Sequence, residues 1–197
     1  MSVGTDTNHL EMDNGDIITG CTEFRYLGTI FTKDGRDTKN ICHMVTQAWK
    51  LTGALNGAWW SENITRNRKK IIYNSMVKSV LIYGAETWSL YEDDRRRINA
   101  TEMDALRRSA RVSKLDRKMN EYVRGKMDAQ DMILDDITRK QLFGMVMSRE
   151  WTQCDYQKLI HWKPEGRKKQ GHPRRTRKDG IYTAMNGRDL RMGKWNN

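Results

Sequence analysis

Paired carboxylates are the residues of this chain whose types and spacing best suit catalysis. Asp93-Asp94 and Asp135-Asp136 each place two acids side by side, and such a pair can hold divalent metals when a tight turn points both carboxylates at one place. Neither pair has that context. Asp93-Asp94 runs into Arg95 and a helical pattern, where the helix dipole favours acids, and Asp135-Asp136 falls inside another helical pattern. We therefore predict helix-start and helix roles for these acids, and no catalytic residue.

Cysteine and histidine do not form a metal-binding pattern. Cys21, Cys42 and Cys154 are an odd number at wide spacing, without a Cys-x-x-Cys pair, which disfavours both a zinc site and a disulfide framework. No nucleophilic triad, Walker loop or dinucleotide fingerprint is present. The sequence predicts no metal and no cofactor in this chain. The cysteine pattern suits a reducing compartment, and with the absence of a signal peptide at Met1 it predicts an intracellular protein, nuclear or cytoplasmic, that is not secreted.

Two groups of basic side chains are candidates for anion binding. The first opens a predicted helix and consists of Arg66, Arg68, Lys69 and Lys70. The positive end of a helix dipole disfavours cations, so a phosphate lying across this group would relieve the mismatch; a solvated helix face explains the same residues. The second group lies near the end of the chain. It is predicted to be a flexible phosphate-binding arm or a nuclear-import signal. Its residues are Arg167, Lys168, Lys169, Arg174, Arg175, Arg177 and Lys178.

The positive charge is concentrated toward the end of the chain. The 197 residues carry a net charge of +11, and residues 151–197, with 12 basic and 4 acidic side chains, contribute +8 of it. Residues 1–35 carry 2 basic and 6 acidic side chains, a net of −4. Such a balance favours a polyanion partner. Nucleic acid is favoured over a membrane because no stretch of the tail pairs its cations with an apolar face.

Hydrophobic periodicity divides the chain into three parts. Residues 1–35 predict a small N-terminal β-hairpin around a turn at Asp13-Asn14-Gly15-Asp16, followed by an alternating strand from Phe24 to Phe31. Residues 36–150 follow helical spacing, and residues 151–197 are a polar, glycine-punctuated tail predicted to be disordered. The fold class predicted is mainly α with a small N-terminal β-hairpin. The predicted core residues are Trp49, Trp59, Tyr73, Val77, Leu81, Trp88 and Phe143.

Three segments, in this order and spacing, carry a family resemblance. An apolar helical run closes on Tyr83-Gly84-Ala85-Glu86-Thr87-Trp88. Phe24-Arg25-Tyr26-Leu27-Gly28 lies upstream of it, and Trp162-Lys163-Pro164-Glu165-Gly166 lies downstream. Together they resemble the region after the polymerase active site in endonuclease–reverse transcriptases of non-LTR retrotransposons. The resemblance covers nearly the whole chain.

The resemblance implies the C-terminal part of an RNA-directed DNA polymerase. Tyr26, Leu27 and Gly28 would correspond to the primer grip, a hairpin at the palm–thumb junction that supports the growing strand. Residues 36–150 would be a thumb-like helical bundle. The family's metal-binding carboxylates precede the point where this chain begins, so Mg²⁺ would be bound by the missing palm. Tyr91-Glu92-Asp93-Asp94 imitates the Tyr-x-Asp-Asp signature, but an acid at this place in the family precedes a helix and is not catalytic.

The partners implied are RNA and DNA, bound through phosphate contacts, with the missing polymerase palm as a further candidate. By itself the chain is expected not to polymerise. A host-retained, non-enzymatic helical module that binds RNA or a protein through its tail is the alternative from another functional class. An upstream palm in the genomic reading frame favours the polymerase fragment. An expressed transcript starting at Met1 favours the module.

Truncation after Trp151 is predicted to weaken nucleic-acid binding, because it removes a segment with 12 basic and 4 acidic side chains. The plot of log affinity against log salt should become shallower by roughly one unit of slope for each phosphate that the shortened chain no longer neutralises. Fluorescence anisotropy with a labelled RNA at several salt concentrations measures both quantities. Unchanged affinity and slope would show that the tail does not take part.

Overall fold

The computed structural model describes residues 9–129, 131–150 and 177–186. The chain divides into two compact units. The first contains Met1–Gly84 and Leu90–Ile133, and the second contains Ala85–Ser89 and Leu134–Asn197. The fold is mainly helical with small antiparallel β-structure near the N-terminus, which confirms the predicted fold class.

The N-terminal β-structure consists of two separate two-stranded hairpins. Strands β1 (His9–Glu11) and β2 (Ile17–Thr19) pair antiparallel. Their connection is closed by the Met12 N–H, which donates to the Asp16 carbonyl at 2.8 Å. The turn predicted from Asp13-Asn14-Gly15-Asp16 is therefore confirmed.

The second hairpin differs from the single strand that the alternation predicts, and it lies at Tyr26, Leu27 and Gly28, where the resemblance implies a hairpin. Strands β3 (Glu23–Tyr26) and β4 (Thr29–Thr32) pair antiparallel, with Phe24 opposite Phe31, whereas the alternation predicted one strand through this region. The chain reverses at Leu27 and Gly28, whose φ angles are 48° and 82°. Two consecutive positive φ values are typical of the two-residue turn that matches the twist of a hairpin. Glycine adopts this conformation readily, and Leu27 adopts it at some cost.

Seven helices follow in the described residues. In the first unit they are α1 (Thr38–Ala54), α2 (Asn56–Trp60), α3, α4 (Glu92–Ser109) and α5 (Asn120–Met127). Helix α3 runs over Arg66–Ile72, continues as a π-helical segment Tyr73–Lys78, and ends with the turn Ser79–Leu81. Short 3₁₀ turns occupy Ala85–Thr87 and Lys114–Asp116. The remaining helices are α6 (Ile133–Glu150) and α7 (Arg177–Asn186).

Helix α7 lies in the segment that the sequence analysis predicts to be disordered. It is only ten residues long, and its Met185 side chain is buried. Burial of that apolar side chain supplies stabilisation that the polar composition of the tail does not suggest. The rest of the predicted tail, 151–176 and 187–197, lies outside the described residues.

Local capping interactions fix where the long helices begin. Thr65 accepts a hydrogen bond from the Arg68 N–H at the start of α3, as expected of an N-cap. At the start of α4 the buried Asp94 carboxylate accepts from the Tyr91 N–H at 3.4 Å and from the Thr38 hydroxyl at 3.2 Å. The prediction that Asp93-Asp94 opens a helix is therefore confirmed.

The predicted core is largely correct, with two exceptions. Trp59, Tyr73, Val77, Leu81 and Trp88 are buried. Trp49 is 58% exposed and Phe143 is 65% exposed. Helical rotation explains both errors, because α1 buries Met44, Ala48 and Thr52, and α6 buries Ile137, Gln141 and Leu142. Each misplaced aromatic side chain follows a buried position by one residue, about 100° around its helix.

A buried ion pair joins α4 to α5 in the first unit. The Glu102 side chain is 2% exposed. Its carboxylate accepts from the Arg124 guanidinium at 2.5 Å and from the Ile133 N–H at 3.1 Å. Burial raises the pKa of Glu102, while the hydrogen bonds and the charge of Arg124 lower it. The net pKa is raised, so burial outweighs the partners and the ionised carboxylate depends on them.

Replacement of Arg124 by Met is predicted to lower the free energy of unfolding by about 3–5 kcal/mol at neutral pH, because it leaves a buried charge unpaired. Removing the guanidinium raises the folded-state pKa of Glu102 further. The loss in free energy of unfolding is therefore largest above that pKa. It becomes smaller as the pH falls through that pKa and Glu102 becomes neutral. Urea unfolding at several pH values measures this.

Arg96→Met is the matched control, because Arg96 is exposed and its ion pairs with Glu92 and Asp93 lie on the helix surface. It should cost less than about 1 kcal/mol at every pH. Equal destabilisation by the Arg96 and Arg124 substitutions would contradict the importance of the buried pair.

Candidate nucleic-acid interface

The structure brings two of the resemblance-bearing segments into contact. The Tyr83 hydroxyl donates a 2.8 Å hydrogen bond to the Leu27 carbonyl at the tip of the β3–β4 hairpin. A Cβ atom on Gly28 would lie 3.7 Å from the Tyr83 ring, and one on Gly84 would lie 3.4 Å from the Thr29 hydroxyl. Both glycines also have positive φ. The positive φ at 28 and 84 therefore favours glycine, whereas an added Cβ would make only ordinary van der Waals contacts.

The hairpin tip presents apolar and aromatic side chains to solvent. Leu27 is 73% exposed, and Tyr26, Phe24 and Phe31 are also exposed. Phe24 and Phe31 are cross-strand partners and share one face of the hairpin. Exposed aromatic rings on a small sheet can stack on nucleic-acid bases. The predicted primer-grip residues thus lie at a surface where such stacking can occur.

Helix α1 holds the hairpin in place. The Ile30 N–H donates to the Asn40 side-chain oxygen at 3.1 Å, and both Ile30 and Asn40 are buried. A buried backbone donor needs such a partner, because leaving it unpaired costs about 1–3 kcal/mol. The hairpin is therefore anchored to a helix and does not rely on its own two strands, which would be marginal alone.

The second half of the Tyr-Gly-x-Glu-Thr-Trp signature packs within the second unit. The side-chain amide of Gln141 donates to the Ala85 carbonyl at 3.3 Å and to the Trp88 carbonyl at 2.9 Å. The Lys140 ammonium donates to the Glu86 carboxylate at 3.1 Å. Trp88 is buried. These residues fasten the 3₁₀ turn to helix α6.

Two members of the basic group at the start of α3 are placed as predicted. Arg66 and Arg68 are exposed in the first turn. Among the described residues, neither guanidinium has an ion-pair partner. Both charges lie at the positive end of the helix, where they are unfavourable without an anion. The arrangement leaves two guanidinium groups available for phosphate oxygens.

The other two members of the group have partners within the chain. The Lys69 side chain is 3% exposed, and its ammonium donates to the Trp59 carbonyl at 2.6 Å and the Ser61 carbonyl at 2.8 Å. These carbonyls end helix α2 and lack helical partners. Lys70 is half-buried and bonds to the carbonyl and carboxylate of Asp128. Lys69 and Lys70 therefore have structural partners that the sequence analysis did not foresee.

A cleft of about 550 Å³ opens beside the start of α3. Its charged lining residues are Arg66, Lys69, Arg111, Lys126 and Glu62. Burial lowers the pKa of Lys69, and the nearby Arg111 charge lowers it further, whereas Glu62 raises it. Four basic side chains and one acidic side chain line the cleft, so its lining has excess positive charge.

Arg111 and Lys126 could not be identified as site residues from the sequence. Arg111 follows the end of α4 and Lys126 lies near the end of α5, so they are separated from α3 by many residues. The Arg111 guanidinium is 2.5 Å from the Glu62 carboxylate. No local pattern around either residue indicates this convergence, because it arises from packing of α3, α4 and α5.

The tail residues of the predicted interface are mostly outside the described residues. Arg167, Lys168, Lys169, Arg174 and Arg175 fall in 151–176. Arg177 and Lys178 begin helix α7. Within the described part of the chain, no group of three or more His, Cys, Asp or Glu side chains is arranged to hold a metal ion. None of the described helices is long and apolar enough to cross a membrane.

Comparison with protein-family models, with curated proteins and with solved structures finds no match to this chain.

Lys69→Met and Lys70→Met test the structural role of the two neighbouring lysines. Lys69→Met leaves the buried Trp59 carbonyl and the part-buried Ser61 carbonyl without this donor and should lower the free energy of unfolding by about 1–3 kcal/mol. Lys70→Met removes a partly exposed ion pair and should cost less than about 1 kcal/mol. Thermal and urea unfolding measure both. Equal costs would show that the Lys69 ammonium does not support the α2–α3 connection.

Proposed function

We propose that this chain is a nucleic-acid-binding portion of an RNA-directed DNA polymerase of a non-LTR retrotransposon. The observation that carries the proposal is the exposure of Arg66 and Arg68, without ion-pair partners in the described residues, at the positive end of α3 beside a cationic cleft. The contact between Tyr83 and Leu27 supports the assignment of the hairpin, because it joins two segments on which the resemblance depends.

The physical basis of binding is electrostatic. Guanidinium groups donate paired hydrogen bonds to phosphate oxygens, and each phosphate neutralised releases counterions from the nucleic acid. The net charge of +11 increases the rate of encounter with a polyanion. Phosphate contacts carry no sequence information. Binding to RNA and DNA without sequence preference follows, with the hairpin tip supporting a strand through Tyr26, Leu27 and Gly28.

As the resemblance implies, strand binding and metal binding are proposed to belong to different parts of the polymerase. The chain holds template and primer, and Mg²⁺ belongs to a polymerase palm outside it. The compartment proposed is intracellular, either nuclear or cytoplasmic. The basic residues 167–178 extend the same phosphate-binding role to the tail.

The double variant Arg66→Gln with Arg68→Gln is predicted to weaken binding to RNA and DNA alike. Its log–log salt slope should fall by about 0.7 to 0.9 unit for each phosphate that is no longer neutralised. Fluorescence anisotropy on the full chain, with single-stranded and duplex probes, measures the slope. Stability should change little, because both side chains are exposed.

Arg96→Gln with Arg139→Gln is the matched control, since it removes the same charge. Arg96 is paired with Glu92 and Asp93, and Arg139 is paired with Asp136. The control should keep most of the native slope, because these guanidinium groups are already neutralised by carboxylates. Identical slope changes in the two double variants would overturn the proposed interface and leave only a net-charge effect.

A further inference from the structure

The cleft beside α3 gathers cations from three helices around one concave space. Arg66 and Lys69 come from α3, Arg111 from the end of α4, and Lys126 from α5. Glu62 is the one acidic side chain among its lining residues. Four cations and one anion leave a net formal charge of about +3 in a space of about 550 Å³. This volume lies within the range of small-ligand sites.

Arg111 occupies a left-handed backbone conformation that favours glycine. Its φ is 55°, and the Val112 N–H donates back to the Arg107 carbonyl, as in a helix end that commonly uses glycine. A side chain in this left-handed region is strained. The ion pair with Glu62 is largely exposed, and such surface pairs contribute little to stability. That pair therefore does not account for an arginine at this position.

Neutral donors complete the lining of the cleft. The Thr65 oxygen accepts from the Arg68 N–H, which leaves the hydroxyl proton free to donate. Ser61 also lines the cleft. The Lys69 ammonium uses two of its three N–H groups on the Trp59 and Ser61 carbonyls. The cleft thus combines charge with directed donors, as phosphate sites require.

The arrangement distinguishes a compact anion from an extended one. An internal phosphodiester carries one negative charge, and a strand of them fits a linear row of cations. A terminal phosphate carries about −1.5 to −2 at neutral pH, and a diphosphate carries more. Cations that converge from three helices match the compact group better.

We propose that this cleft binds a phosphate monoester or diphosphate group, either the terminal phosphate of a nucleic-acid strand or the phosphates of a free nucleotide. The inference rests on the proposed function, because the start of α3 contributes to both. It adds a defined pocket for strand ends or nucleotides to a general phosphate-binding surface.

Calorimetry with inorganic pyrophosphate on the full chain tests the shared chemistry. Arg111→Gly should weaken pyrophosphate binding by about tenfold or more, because it removes a charge-assisted hydrogen bond to the anion. The variant should fold at least as stably as the native chain, since glycine suits this φ. The matched control is Arg117→Gly, which removes the same charge at another exposed left-handed arginine, φ 48°, that does not line the cleft. It should bind pyrophosphate within about twofold of the native chain.

Two further arms identify the source of the phosphate. A 5′-phosphorylated RNA oligomer that binds more tightly than its 5′-hydroxyl form, with the difference abolished in Arg111→Gly, identifies a strand end. ATP competing with pyrophosphate, without a 5′-phosphate effect, identifies a free nucleotide.

Absence of pyrophosphate binding, or equal weakening by the two glycine variants, overturns the inference. If RNA binding with its salt slope persists in that case, the proposed function stands; pyrophosphate binding without any RNA or DNA binding would instead overturn the proposed function.

Discussion

The buried carboxylate of Glu102 is the constraint on which the helical arrangement of the first unit depends. A charge at this depth is tolerated only with partners, and the Arg124 guanidinium and the Ile133 N–H supply them. Glu102 lies on α4 and Arg124 lies on α5, so their ion pair holds α5 against α4. Helix α5 carries Lys126, and the end of α4 carries Arg111, so the same ion pair determines where two cations of the cleft lie. The positions of two cations in the cleft therefore depend on the ion pair between Glu102 and Arg124 in the interior.

The features that depend on neighbours along the chain could be predicted from the sequence. Helical periodicity indicated the long helices, Asp93-Asp94 indicated the start of α4, and Asp13-Asn14-Gly15-Asp16 indicated the first turn. Side chains that depend on tertiary partners were missed. Lys69 is drawn inward by the unpaired carbonyls of α2, and Arg111 reaches the cleft only because α4 ends beside the loop of Glu62. Such interactions have no local sequence signature. Arg111 and Lys126, two of the four cations of the cleft, could therefore be identified only from the structure.

The resemblance-bearing signature has a packing explanation in this fold. Tyr83 and Gly84 accommodate the hairpin, and Ala85 and Trp88 offer carbonyls to Gln141. Each of these conspicuous residues thus has a structural partner. Spacing of this kind indicates how a chain folds, whereas activity depends on the groups at a site. The nucleic-acid-binding part of the proposed function accordingly depends on the exposed cations, and its polymerase assignment depends on the resemblance.

Helix α3 sets the scale of the proposed interface. Its start carries Arg66 and Arg68, and just beyond its end Tyr83 bonds to the hairpin tip. At the α-helical rise of about 1.5 Å per residue, the 16 residues from Arg66 to Leu81 extend at most about 24 Å, because the π-helical segment Tyr73–Lys78 is more compact. The two regions are therefore too far apart to hold the same phosphate. With one phosphate per about 3.4 Å of helix axis on each strand of a duplex, that separation corresponds to at most about seven nucleotides. A strand bound at both ends of α3 would be held at two points, which restrains its direction as well as its position.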